Sequence, residues 1–211
     1  MEIKKAQYMY GFALMSQYQA LKYPEIAVAG RSNVGKSSLI NMLTNHSKLA
    51  KVGQTPGKTR MVNVFLLNES FTLMDLPGYG FARVSEQEKR RWAELIEGYF
   101  YNSPMLKHVF VLLDVRHEPT QEDLSMIHWL HYYHIPFSVI ATKADKLSRA
   151  QLNQTLPKLS RATGIIVNEI YPVSSLTRQG KERLLEKMGQ VLQEETDQKA
   201  AAENSENFCN F

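Results

Sequence analysis

Residues 30–37 read Gly30-Arg31-Ser32-Asn33-Val34-Gly35-Lys36-Ser37, which matches the spacing G-x-x-x-x-G-K-[ST]. No other feature constrains the fold as tightly. A chain with this spelling must leave a strand, curl so that backbone N–H groups converge on phosphate oxygens, and enter a helix. The helix N-terminus then adds its partial positive charge, and the glycines permit the dihedrals and the close approach. In that geometry Lys36 reaches the β- and γ-phosphates and the Ser37 hydroxyl meets Mg²⁺. At ordinary residue frequencies such a string arises by accident in about one chain of this length per hundred. Context therefore decides. Ile26–Ala29 is an apolar run suited to a buried strand, and Gly35–Asn45 predicts a helix with Leu39, Ile40 and Leu43 on one face.

The remaining chain alternates β-rich runs with amphipathic helices, the pattern of an α/β protein. Strands are expected at Met61–Leu67 and Phe71–Asp75, joined by the hairpin signal Asn68-Glu69-Ser70, and at Val109–Val115, Phe137–Thr142 and Glu169–Ser174. Helices are expected over Val84–Tyr101, Gln121–Tyr133, Ala150–Ala162 and Lys181–Gln193, with Pro157 bending or interrupting the third of these. The hairpin makes one pair antiparallel, and strands separated by helices should run parallel. Three units follow: an N-terminal extension (1–22), a nucleotide-binding domain (23–195) and a disordered acidic tail (196–211).

A phosphate loop alone does not separate ATPases, kinases and GTPases. Asp75-Leu76-Pro77-Gly78 ends a predicted strand 38 residues after Ser37. There a carboxylate can hold Mg²⁺ through water and the Gly78 N–H can sense a γ-phosphate. Thr142-Lys143-Ala144-Asp145 ends another strand. The Asp145 carboxylate can accept both N1–H and the 2-amino group of guanine, a donor pair that adenine lacks. A mismatch of this kind costs about 1–3 kcal/mol or more. The stem of Lys143 can cover the base, and Ser174-Ser175-Leu176 after the last strand can offer N–H groups to the guanine O6. Between the first helix and the hairpin, Thr55 and Thr59 both carry a hydroxyl able to close on Mg²⁺, and spacing does not choose between them.

The ordered set G-R-S-N-V-G-K-S, T-P-G-K-T-R, D-L-P-G-Y-G and T-K-A-D-K closely resembles the EngB (YihA/YsxC) family of bacterial GTP-binding proteins, over roughly residues 20–195. The resemblance implies a Ras-like, three-layer P-loop GTPase fold: a six-stranded, mostly parallel sheet with one antiparallel strand and helices on both faces. It assigns Thr59, with Ser37, to Mg²⁺, and Gly57, Lys58, Thr59, Arg60 and Met61 to the nucleotide beside Asp75–Gly78, Thr142–Asp145 and Ser174–Leu176. Lys36, Thr59 and Gly78 become the catalytic set, and GTP and GDP the ligands. It also implies a role in assembling the large ribosomal subunit, with links to cell division and septation. The guanine motif opens with Thr142 where most GTPases have Asn, which puts in question one hydrogen bond tying the base loop to the phosphate loop. Tyr79 stands where Ras-like proteins place the Gln that orients the attacking water, so slow hydrolysis, completed by a partner or ion, is expected. Related GTPases with Asn at the position of Asn33 bind K⁺ there, which makes K⁺ a candidate activator against a plain loop-shaping role.

Charge narrows the partners. Beyond Gln193 lie Glu194, Glu195, Asp197, Glu203 and Glu206 against Lys199 alone, so the tail carries −4 and the rest of the chain +8 within a total of +4. A basic body suits a polyanion, and Lys58, Arg60, Lys89, Arg90 and Arg91 are the candidates for ribosomal RNA phosphates, against a solvated surface. No DNA or membrane partner is expected, and the chain is read as a cytoplasmic monomer. The segment carrying Lys4 and Lys5 is broken by Gln7, Ser16, Gln17 and Gln19, unlike a secretory signal. The single cysteine, Cys209, excludes an internal disulfide. His128, His131 and His134 fit a helix face better than a metal site, and Glu118, Glu122 and Asp123 fit helix N-terminal charges. A small-molecule kinase and a septin-like filament former are the competing readings; T-K-A-D argues against the first.

Overall fold

A computed structural model describes residues 1–51, 61–80 and 85–193 of the chain. Its strands are β1 (Ala6–Phe12), β2 (Glu25–Gly30), β3 (Val62–Leu67), β4 (Phe71–Asp75), β5 (Leu106–Asp114), β6 (Phe137–Thr142) and β7 (Ile170–Val173). Its helices are α1 (Lys36–Thr44), α2 (Glu86–Asn102), α3 (Gln121–Tyr132), α4 (Arg149–Thr163) and α5 (181–193). The strands form one sheet in the order β1-β3-β4-β2-β5-β6-β7. β3 runs against both neighbours, and every other pair is parallel.

Side chains alternate across a strand, so a sheet covered on both faces reads as continuous apolar runs. Along β5, Val109, Val111 and Leu113 enter one core with Ile96, Tyr99 and Leu130 from α2 and α3. Phe110 and Leu112 enter the other, with Leu39, Ile40 and Leu43 of α1 and Leu184 and Met188 of α5. This is the expected three-layer α/β arrangement. Among the described residues no helix is long and apolar enough to cross a membrane.

Two expectations are corrected. The sheet has seven strands instead of six, because β1, drawn from the first 22 residues, pairs with β3. Its register shifts between Tyr8 and Tyr10, and a bulge there breaks the two-residue alternation that would have marked a strand. Pro157 does not interrupt α4, which is continuous through it. The carbonyl that loses its donor belongs to Asn153, an exposed residue, where water can replace the bond.

Helix starts differ in a way that matters for the site. α2, α3 and α4 each open with a capping box, Ser85/Glu88, Thr120/Asp123 and Ser148/Gln151, so their first N–H groups are partly satisfied from within. α1 opens on Gly35 with no side-chain cap. Its N–H groups are left for something else.

Candidate functional site

The parallel strands end at one edge of the sheet, and the phosphate-loop, D-x-x-G and T-K-A-D segments meet there. β2 delivers Gly30–Gly35, and α1 begins at Lys36 with Ser37 in its first turn. Gly35 has φ +113°, a conformation side chains rarely tolerate. β4 delivers Asp75–Gly78 alongside. A Cβ on Gly78 would lie 3.0 Å from the Ser32 Oγ and 3.1 Å from its backbone N, an approach so close that any side chain here would push the phosphate loop back by a few tenths of an ångström. The Ser32 N–H donates to the Tyr79 carbonyl (3.0 Å), which fixes the D-x-x-G segment on the phosphate loop.

This corner holds the polar atoms whose needs the fold does not meet. Among the described residues, the buried side-chain atoms without a hydrogen-bond partner are Arg31 Nε, Ser32 Oγ and Asp75 Oδ1. The other Asp75 oxygen has only a long contact from Asn63 Nδ2 (3.5 Å). Burial pushes the Asp75 carboxyl up, opposed by the charge of Lys36 and the Asn63 contact. Burial likewise pushes the Lys36 ammonium down, opposed by Asp75. A half-buried cation beside a buried anion, unmet oxygens and an uncapped helix start suit a ligand bringing its own charges of both signs. A nucleotide phosphate chain with Mg²⁺ has that character, and the donor set of Ser37 and Asp75 is the hard-oxygen type that Mg²⁺ takes.

The base side is built by β6 and β7. The Thr142 hydroxyl lies 2.9 Å from the Val34 carbonyl and 3.1 Å from that of Leu113. The tie to the phosphate loop that the Thr-for-Asn departure put in question is therefore present, made by a hydroxyl. Lys143 adopts a left-handed backbone (φ +60°) and sends its Nζ to the Asn33 carbonyl at 3.0 Å. The Ser174 hydroxyl, the least informative of the motif residues in sequence, donates to Asp145 Oδ1 at 2.7 Å. That bond, first, and then Lys146 hold the Asp145 carboxyl below the usual range. Ala144 is buried, and Leu176 is exposed beyond Ser175.

Gly57, Lys58, Thr59 and Arg60 lie outside the described residues, as do Thr55 and the tail 196–211; Met61 is the first described residue after that loop. Its other flank is anchored by Asn41, whose Nδ2 donates to the Ala50 carbonyl (2.9 Å) and whose Oδ1 accepts from the Ala50 N–H (2.8 Å).

Asp114 was not legible as a site residue. It ends β5 opposite Thr142, and its carboxylate takes Lys143 Nζ at 2.9 Å and the Arg116 guanidinium at 2.9 and 2.7 Å. Burial opposes its charge, but the hydrogen bonds from Arg116 and Lys143 outweigh burial and hold the carboxyl well below the usual range. Only its place at a strand end could have drawn notice. Tyr79 turns away from the phosphate loop: its hydroxyl donates to Asp123 Oδ1 (2.9 Å), and its ring meets Trp92 edge-on, with centroids 5.8 Å apart. Asp123 also serves as the expected N-terminal charge, closing the α3 capping box through its other oxygen.

Comparison with known proteins matches residues 25–143 to the family described as 50S ribosome-binding GTPase. A probable GTP-binding protein EngB from Clostridium kluyveri is 48% identical over 196 residues, covering 91% of this chain and 98% of that protein. The crystal structure of a probable GTP-binding protein EngB superposes with a TM-score of 0.67 at 24% identity, over 81% of this chain and 99% of that one. The crystal structure of Era in complex with MgGDPNP and nucleotides 1506–1542 of 16S ribosomal RNA gives a TM-score of 0.62 at 21% identity, over 80% of this chain and 56% of that one.

Proposed function

This chain belongs to the EngB family of GTP-binding proteins, and from that premise we propose that it is a GTP-operated switch with slow intrinsic hydrolysis that serves assembly of the large ribosomal subunit. The phosphate chain lies in the Gly30–Ser37 loop, with Lys36 at the β- and γ-phosphates. Ser37 and Thr59 would hold Mg²⁺, with the Asp75 carboxylate as the nearby anion. Mg²⁺, when bound, neutralises charge on the phosphate oxygens. The Gly78 N–H meets the γ-phosphate, so Lys36, Thr59 and Gly78 form the catalytic set. Leu76 and Pro77 carry that glycine, and Gly57, Lys58, Arg60 and Met61 flank Thr59.

Asp145 reads guanine, Lys143 covers it, and Thr142, Ala144 and Ser174–Leu176 shape the pocket. The observation that carries this reading is the pair of ties from Thr142 to Val34 and from Lys143 to Asn33, which join the base reader to the phosphate loop. Calorimetry with GTP and ATP tests it, and equal affinity for the two would refute it. Asp145→Asn should shift preference toward xanthosine triphosphate, because an amide can donate to the xanthine oxygen.

Slow turnover follows from Tyr79, whose side chain is engaged by Asp123 and supplies nothing to an attacking water. K⁺ at Asn33 is the proposed stimulant. Equal rates in KCl and NaCl at matched ionic strength would exclude it.

For the partner, the description of the matched family supports the 50S subunit. Lys89, Arg90 and Arg91 are exposed on the first half of α2, the helix that follows the D-x-x-G segment, as RNA-phosphate contacts would require. Binding to large subunits should weaken steeply as salt rises. Salt-independent association would contradict the electrostatic account. The link to cell division, the monomeric state and the cytoplasmic location are part of the same proposal.

A further inference from the structure

Ser32 is a phosphate-loop residue to which the motif G-x-x-x-x-G-K-[ST] assigns no chemistry, since its position is one of the four unspecified ones. Its Oγ is nonetheless buried, and among the described residues it has no hydrogen-bond partner. Buried hydroxyls in folded proteins are nearly always paired. Its own backbone N–H is met by the Tyr79 carbonyl, as the Val34 N–H is by the Arg31 carbonyl. At Ser32 the unmet donor is the side chain.

Its direction is informative. The Ser32 Oγ faces Gly78, where a Cβ would come within 3.0 Å of it. It therefore lies on the side of the loop that faces the D-x-x-G segment. The β-phosphate, by contrast, belongs to the other end, where Gly35, Lys36 and Ser37 open α1. The position that follows Gly78 supplies no side chain here, because Tyr79 is drawn off to Asp123 and Trp92. The Ser32 hydroxyl is thus a small side-chain donor without a partner, beside the equally unpartnered Arg31 Nε, at the point where a third phosphate differs from a second.

We propose that the Ser32 hydroxyl is a triphosphate sensor, donating to a γ-phosphate oxygen and selecting the GTP state over the GDP state. This rests on the nucleotide assignment above and adds to it a side-chain determinant of switch state. A hydroxyl on this spot gains a charged acceptor when the triphosphate is bound and has none with the diphosphate. The gain is confined to one nucleotide state, which separates it from a loop-shaping role.

The test is equilibrium binding of GDP and of the non-hydrolysable analogue GppNHp, with Mg²⁺, to the full chain and to Ser32→Ala. Affinity for GppNHp should fall about 10- to 100-fold, the scale of a hydrogen bond to a charged group, while GDP affinity stays within about 3-fold. Equal losses for both nucleotides would show that Ser32 only shapes the loop, and no loss for either would show that the hydroxyl meets no phosphate. Both overturn the proposal. Ser32→Gly provides a second variant with the same expectation should the alanine protein fail to fold. A wild-type chain that holds ATP and GTP equally would instead sink the nucleotide assignment, whatever Ser32 does.

Discussion

The hydroxyl of Thr142, at the end of β6, donates to the carbonyl of Val34 in the phosphate loop across 2.9 Å. Two segments more than a hundred residues apart are joined by one buried bond. Thr142→Ala would leave that carbonyl short of a donor in the interior, at about 1–3 kcal/mol. Because the bond joins two protein groups and involves no phosphate, GTP and GDP affinities should fall together. Thr142→Asn, whose amide is also a donor, should recover most of the loss. Thermal unfolding and calorimetry on the two variants check this, and a loss confined to one nucleotide would contradict it.

Tyr79 gives a cleaner separation of stability from chemistry. Its hydroxyl is bonded to the Asp123 carboxylate inside the fold, so Tyr79→Phe should cost about 1.5–3 kcal/mol in unfolding. Single-turnover GTP hydrolysis should stay within about 2-fold, because a group contributing nothing to the transition state changes no barrier. A drop of an order of magnitude would mean that the phenol does act on the reaction.

The placement of the candidate site residues was legible where a motif needs a fixed spelling. Gly35, Lys36, Asp75 and Asp145 could be placed from spacing at predicted strand ends, and all of them lie at one edge of the sheet. What could not be read were partnerships made by the fold. Asp114 is one aspartate among many until β5 and β6 set it opposite Thr142 and beside Lys143. β1 escaped notice because its bulge destroys the alternation and its Tyr8 and Met9 are exposed. The tie made by Thr142 could not be foreseen by comparing its side chain with Asn, since a shorter group suffices if the two loops lie closer. Distances of that kind are properties of packing.

His108 predicts an acid sensitivity far from the nucleotide. It lies buried near the start of β5, with Nε2 2.9 Å from the Ser138 hydroxyl, which donates to Glu169 at 2.7 Å. Burial, then the charge of Lys187, lowers its pKa to about 4 against the pull of Glu169. The unfolded chain therefore binds the proton first. Stability is intact above about pH 6.5 and is lost as pH falls toward 4, at up to about 1.4 kcal/mol per unit. Urea unfolding at pH 7, 6 and 5 should show this, and His108→Gln should flatten that part of the profile. An unchanged slope in the variant would place the sensitivity elsewhere.

The two tryptophans of the chain offer a direct optical reading of the switch. Trp92 on α2 donates its indole N–H to the Pro77 carbonyl at 2.9 Å, within the D-x-x-G segment. Its ring stacks on Trp129 of α3, with centroids 5.9 Å apart and planes 20° from parallel. In the proposed switch, movement of Gly78 toward a γ-phosphate would carry the adjoining Pro77 carbonyl with it and lengthen or re-aim that bond. Indole emission responds to such a change, whereas Trp129, among the described residues, meets the segment through its stacking on Trp92. Exchange of GDP for GppNHp should therefore shift the fluorescence of the wild type and of Trp129→Phe, and leave Trp92→Phe nearly silent. The opposite pattern, with the signal surviving in Trp92→Phe, would show that α3 senses the nucleotide by a route that bypasses Pro77.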